Sequence, residues 1–406
     1  MEQGLKNYLV VTGGYWAFTI TDGAIRMLVV LYFHLLGYSP FEVAMLFLFY
    51  EFFGIVTNLV GGWLGARIGL NLTMNIGMAM QVIALLALTV PDSWLSVVYV
   101  MVAQAISGIA KDLNKMSAKA SVKTLAQDSS DSSLFKWVAV LTGSKNALKG
   151  AGFFIGAGLL QWIGFRSSLA VLAGMLFIVL LITMWMLPAA VGKMKSKPKF
   201  SQVFSNIKAI NILSAARFFL FGSRDIWFVV GLPVFLYETL KWNFSEVGAF
   251  LALWVIGYGI VQAISPRLLG IRKDGKGPDA SSARFWVFAL ALLPAGIALA
   301  MQQGWPQDRV LIIGLILFGI VFAINSAIHS YLILAYSHHD KVAMNVGFYY
   351  MSNAGGRLAG TVLSGWAYQT QGLVGCLWWS FAFVLLASII SLTLPSLKTS
   401  RGIANV

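Results

Sequence analysis

The sequence predicts an all-α membrane protein of twelve transmembrane helices in two pseudo-symmetric six-helix halves, and three observations predict it. Of 406 residues, 58% are hydrophobic and only 11% charged, with a mean hydropathy of +0.78, against roughly 25% charged residues in an average soluble domain. Apolar runs separated by turn chemistry recur along the whole chain, and at about 20 residues per span they leave no room for a soluble domain. Basic residues, finally, gather in every second connection.

The runs fall at 9–36, 41–65, 72–91, 95–116, 136–161, 167–188, 209–237, 245–269, 285–303, 309–336, 342–369 and 374–395. Asp22 and Arg26 interrupt the first, and no small-residue cleavage pattern follows it, so it reads as a retained span rather than a signal peptide. An even count puts both termini on one side. With the N-terminus inside, the inner segments hold eighteen Lys and Arg, among them Lys6, Arg67, Lys119, Lys123, Arg284 and Lys341; the outer loops hold three, Arg166, Lys241 and Arg309. This positive-inside imbalance puts both termini in the cytoplasm. It accounts for most of the net charge of +14 with no call on nucleic acid. Trp94, Trp162 and Trp242, near loops, read as interface anchors.

The longest basic connection, with Lys193, Lys195, Lys197, Pro198 and Lys199, divides the chain into bundles 1–191 and 209–406 joined by a linker, 192–208. The halves resemble each other. Span one carries Asp22 and Arg26 before Ser39-Pro40-Phe41-Glu42-Val43; span seven carries Arg224 and Asp225 before Asn243-Phe244-Ser245-Glu246-Val247. Asp to Glu is 20 residues in one half and 21 in the other. Lys145-Asn146-Ala147 with Lys149 is echoed by Ser352-Asn353-Ala354 with Arg357.

Inside the spans lie eight basic residues, Arg26, Lys111, Lys115, Lys145, Lys149, Arg217, Arg224 and Arg357, against Asp22, Glu51, Asp112 and Asp225. Facing lipid at about 2.5–3.5 kcal/mol each, these groups would cost on the order of 30–40 kcal/mol, so they face the bundle interior or a wet cavity. The basic surplus favours an anion there. Lys111 and Lys115 are one turn apart, as are Lys145 and Lys149, so each pair puts two repelling ammonium groups on one face unless an anion sits between them; Asp112 is the other candidate to neutralise the first pair. Lys119 and Lys123 extend that ridge, as a funnel or as a snorkelling helix end.

Asp22 and Arg26, at i and i+4, can pair directly. Arg224 and Asp225 point about 100° apart and cannot satisfy each other on one face, which leaves Arg224 for a ligand or for Asp22. Arg217, one heptad earlier, reads as a residue of the cytoplasmic mouth, and Arg357, among Gly355, Gly356 and Gly360, as a third anchor. His329 reads as a proton shuttle or a packing group. The glycines Gly150, Gly152, Gly156 and Gly158 read as small-residue helix packing or as an antiporter-type helix. The single cysteine, Cys376, allows neither an intramolecular disulfide nor a zinc site. No nucleophile–base constellation, metal cluster or phosphate-cradling loop points to an enzyme, and no cofactor or metal is expected.

Six plus six helices in parallel repeat resemble the major facilitator superfamily, which implies a substrate site between the halves near the bilayer midplane. Gly62-Trp63-Leu64-Gly65-Ala66-Arg67-Ile68-Gly69 is similar to the superfamily's G-x-L-x-D-R-x-G loop, with Ala66 in the acidic position. An arginine in span one and another in span seven resemble the phosphate-gripping pair of the superfamily's organophosphate exchangers, since guanidinium meets phosphate with two parallel hydrogen bonds.

A finer resemblance covers nearly the whole chain. Tyr15 to Arg26, Tyr50-Glu51-Phe52-Phe53-Gly54, Ser107 to Leu113, Thr142 to Gly150 and Ala215 to Asp225 look like the organoarsenical efflux permeases of arsenic-resistance operons, the ArsJ type. That resemblance implies export of 1-arseno-3-phosphoglycerate, a small phosphorylated anion, and a functional partnership with the glyceraldehyde-3-phosphate dehydrogenase that makes it. One cysteine cannot hold trivalent arsenic through thiolates, whereas a pentavalent oxyanion suits Arg and Lys. The candidate substrate set is Arg26, Lys111, Lys115, Lys145, Asn146, Lys149, Arg217, Arg224 and Arg357; the candidate proton-coupling or ion-pair set is Asp22, Glu51, Asp112, Asp225 and His329. The alternatives are an organophosphate or phosphate exchanger and a proton-coupled drug exporter.

Overall fold

The computed structural model describes residues 2–37, 46–125, 130–188, 193, 207–242, 244–269, 277–337 and 341–397. Among the described residues there is no strand. The helices are α1 Glu2–Leu35, α2 Leu48–Ile68, α3 Leu70–Ala87, α4 Val97–Leu125, α5 Asp131–Met186, α6 Lys208–Phe228, α7 Gly231–Glu238, α8 Phe244–Leu268, α9 Ala280–Gln302, α10 Gln307–Tyr336 and α11 Val342–Leu392. The opening of span two, Ser39 to Val43, lies outside the described residues, as do Asn243 and all of the basic connection 192–206 but Lys193.

Among the described residues eight helical stretches are long and apolar enough to cross a membrane. Two of them, α5 with 56 residues and α11 with 51, are about twice the length a span needs. They break at Gly164 (φ 75°) and Gly372 (φ 67°), backbone positions that glycine occupies at no steric cost. Each break falls in the connection expected there, so α5 supplies spans five and six, and α11 spans eleven and twelve. The two long helices outside the apolar set are α2 and α4, the ones that carry Glu51 and Lys111, Asp112 and Lys115. Span seven departs from expectation: it breaks after Phe228 and resumes as α7, whose first turn presents the Val230 and Gly231 N–H groups to Ser364 Oγ, each at 3.2 Å. Span four runs to Leu125 instead of ending near 116, because Lys119 finds a partner inside the protein.

Helix ends follow the local sequence. Gly69 alone separates α2 from α3 (φ 108°). Asp279 caps α9, its carboxylate accepting from the Ser281 and Ser282 N–H groups at 3.1 and 3.2 Å. Arg284 donates to the Ser391 and Leu394 carbonyls at the end of α11.

The chain forms two compact units: Met1–Ser129 with Ser144–Phe204 and His338–Met351, and Ser130–Gly143 with Ser205–Ser337 and Ser352–Val406. The first packs Phe33, Leu85, Leu88 and Leu169 in one apolar core, with Tyr32 stacked on Phe165 at 4.0 Å. The second is built on aromatic side chains, Trp227 edge-on to Trp254 and Phe318, and Trp254 donates to the Leu315 carbonyl at 2.9 Å. Trp94 and Trp162 are exposed, as interface anchors would be; Trp242 instead packs against this aromatic core. Exposed apolar side chains such as Ile178, Leu181 and Trp185 form the outer face of α5, as lipid contact requires.

Candidate functional site: two buried charge clusters

In the first unit α1, α2, α4 and α5 bring together Asp22, Arg26, Glu51, Lys111, Asp112, Lys115 and Lys149. Asp22 is buried. Its carboxylate takes Lys149 Nζ at 3.0 Å and the Tyr50 hydroxyl. Arg26, one turn beyond Asp22, reaches across to Glu51 at 3.2 Å, and a close helix crossing delivers Lys149 to Asp22. A Cβ at Gly23 would stand 2.6 Å from the Lys149 carbonyl and 3.1 Å from Gly152 Cα, so only glycine lets α1 and α5 approach this far.

On α4 the anion between Lys111 and Lys115 is the protein's own. Asp112 Oδ1 holds Lys115 at 2.5 Å and Oδ2 holds Lys111 at 3.6 Å, with Glu51 a further 4.0 Å neighbour of Lys111. The ring of Tyr50 carries two cations, Lys111 Nζ at 3.8 Å from its centroid and Arg26 Cζ at 4.7 Å. Lys119, expected in solvent or in a funnel, is buried and donates to the Tyr350 hydroxyl; Lys115 lies over the same ring at 4.7 Å. The Lys123 side chain lies outside the described residues. Lys145 and Asn146 sit half-buried on α5, one turn before Lys149.

In the second unit the centre is Asp225, also buried. Arg224 folds back on it through Nε, at 2.7 Å, and Nη2, which corrects the expectation that the neighbours cannot meet: the Cα–Cβ vectors diverge, but the arginine side chain is long enough to curl round. Arg357 Nε holds the other carboxylate oxygen at 2.9 Å. Arg217 is no mouth residue. It is 2% exposed, donates to Asn353 Oδ1 at 2.9 Å and Ser326 Oγ at 3.3 Å, and lies 3.7 Å from the centroid of Phe221, a ring Arg224 shares at 5.2 Å. Gln262 joins the network through Ser326. His329 is fully buried, and neither ring nitrogen has a hydrogen-bond partner among the described residues.

The clusters repeat one design. Each unit holds a buried aspartate on the first helix of its half, bridged to a cation four spans later, Asp22 to Lys149 and Asp225 to Arg357. Each bridge stands beside a glycine crossing: a Cβ at Gly360 would meet the Gly222 carbonyl at 2.5 Å and Asp225 Cβ at 3.1 Å. Sequence reading finds the charged members by their cost in lipid; it misses Tyr50, Tyr350 and Phe221 as cation platforms, since an aromatic residue in a membrane span is unremarkable until a cation is placed on its face. An aromatic residue directly beside an intramembrane acid, as Tyr50 is to Glu51, is the signal available. Four cations against three carboxylates in one cluster, and three against one in the other, leave both basic.

Wider comparison places this architecture. No curated protein sequence matches the chain. Solved structures match it over nearly its full length: a bacterial homologue of the iron transporter ferroportin in an outward-facing state, with a TM-score of 0.75, 15% identity and coverage of 96% of this chain and 99% of that one; the proton:xylose symporter XylE, at 0.75, 13%, 97% and 96%; and the human organic anion transporter TETRAN, at 0.75, 16%, 96% and 99%. At these identities the likeness is one of fold. The profile of the Major Facilitator Superfamily matches residues 11–276, about two thirds of the sequence, and the chain belongs to that superfamily, as a membrane transporter rather than an enzyme.

Proposed function

We propose that this transporter exports a small phosphorylated organoarsenical anion, 1-arseno-3-phosphoglycerate, across a bacterial cytoplasmic membrane with both termini inside, and so confers arsenate resistance alongside a glyceraldehyde-3-phosphate dehydrogenase. The observation that carries the anion is the basic surplus of the two buried clusters. The arsenical identity rests on the resemblance of the charged helices, Tyr15 to Arg26 and Ala215 to Asp225 among them, to organoarsenical permeases. In this reading residues 1–191 and 209–406 are the transporting bundles and 192–208 their linker. Arg26, Arg224, Arg217 and Arg357 supply planar donors for phosphate or arsenate oxygens, and Lys111, Lys115, Lys145 and Lys149, with Asn146, supply mobile ones. Asp22, Glu51, Asp112 and Asp225 are ion-pair partners and the candidates for proton coupling. His329, with no hydrogen-bond partner among the described residues, has little to support a relay. The same chemistry suits an organophosphate or phosphate exchanger, the second reading.

Arsenate sensitivity decides between them. Cells with the dehydrogenase should gain arsenate resistance from the transporter, and Arg26→Ala or Arg224→Ala should abolish it while leaving the protein in the membrane at wild-type level. Resistance unchanged by the gene sinks the arsenical; full resistance in both variants removes these arginines from the site.

A further inference from the structure

We propose that Asp22 and Asp225 are internal stand-ins for the substrate anion, which let the empty transporter reorient and make net efflux, rather than obligatory exchange, its transport mode. The inference rests on the anion-export reading and adds to it how the carrier returns.

A carrier whose site is a cluster of cations has a difficulty when empty, since buried charge without a partner is strongly destabilising. Such a carrier moves only when loaded, and each anion carried out must be matched by one carried in. Here the partners are built in. Asp22 and Asp225 are 2% and 1% exposed. Each holds a cation of a second helix, Lys149 at 3.0 Å and Arg357 at 2.9 Å, and each takes a further donor, the Tyr50 hydroxyl or the Arg224 guanidinium. Asp112 fills the same role between Lys111 and Lys115. The arrangement appears once in each repeat, beside a close glycine crossing, so bridge and crossing form one device. A simple structural pair would be indifferent to substrate. These cations are the ones proposed to grip it, so an arriving phosphate takes them from the aspartates and a departing one gives them back.

The full-length protein reconstituted in vesicles, loaded with labelled 3-phosphoglycerate and held at zero potential, gives the test. Efflux is measured into buffer without anion and into buffer with saturating unlabelled anion. Wild type should empty the vesicles in both. Asp22→Asn and Asp225→Asn should keep exchange and lose net efflux by about a hundredfold or more, the scale of an uncompensated buried charge. The double variant Asp22→Asn with Lys149→Gln, which removes cation and carboxylate together, should regain net efflux with a raised KM. Exchange without net efflux in wild type overturns the proposal and leaves anion transport standing. Net efflux undiminished in both single variants overturns it too, as does loss of both modes in singly substituted protein that remains folded. Should Asp22→Asn fail to fold, Asp225→Asn and the double variant carry the same comparison. Wild type that moves no phosphorylated anion in either arm overturns the export reading itself, and this inference with it.

Discussion

Tyr50 shows what one residue contributes. Its ring lies against Lys111 and Arg26 and its hydroxyl on Asp22, so it spaces two like charges that would otherwise repel and steers the acid to Lys149. A desolvated cation–π contact is worth about 1–2 kcal/mol. Tyr50→Leu, which removes both, should raise the KM for a phosphorylated anion about tenfold or more, while Tyr50→Phe, which keeps the ring and loses only the hydroxyl bond, should change it less. Initial-rate flux in vesicles measures both; equal effects would show that the hydroxyl, not the ring, matters. At this scale the sequence is legible as far as charge: the cost of Asp22, Arg26 and Lys149 in lipid announces them. Their pairing is not, since i and i+4 spacing offers Arg26 to Asp22, and only the approach of α5 brings Lys149 there.

At the scale of elements, the order of the described helices is readable from apolar runs and turn residues, and the connections around Gly164 and Gly372 are where the long helices break. The break of span seven after Phe228 has its mark in Gly231 and Pro233 just beyond it, but Val229 and Val230 carry the apolar run across the break, so hydropathy alone reads one span. Glycines are legible as a packing class but not as individuals: of the four in span five, a Cβ at Gly152 would lie 2.7 Å from the Ile20 carbonyl and one at Gly156 2.6 Å from that of Ala24, while Gly158 faces open space. Gly152→Leu should therefore destabilise the first unit by at least the roughly 1–3 kcal/mol of an overpacked core, seen as a lower Tm and yield, and Gly158→Leu should leave both near wild type. A similar loss in both would mean that helix propensity, not the α1–α5 crossing, sets the effect.

For the whole molecule the governing quantity is charge moved against potential. Over a full transport cycle the charges of the buried clusters return with the carrier, so the net charge moved across is the substrate's own. An inside-negative potential of 100 mV is worth about 2.3 kcal/mol per charge, so a dianion leaving unaccompanied gains roughly 5 kcal/mol, enough to drive export with no proton. Labelled 3-phosphoglycerate in vesicles with the protein in its cellular orientation should therefore come to a steady-state gradient that a 100 mV potassium diffusion potential shifts by roughly fiftyfold per charge carried, with no dependence on a pH gradient. A gradient that follows pH and ignores potential would mean that protons leave with the anion and cancel its charge; Asp22, Asp112 and Asp225 would then be their carriers, each already held against the cation that an anion must claim.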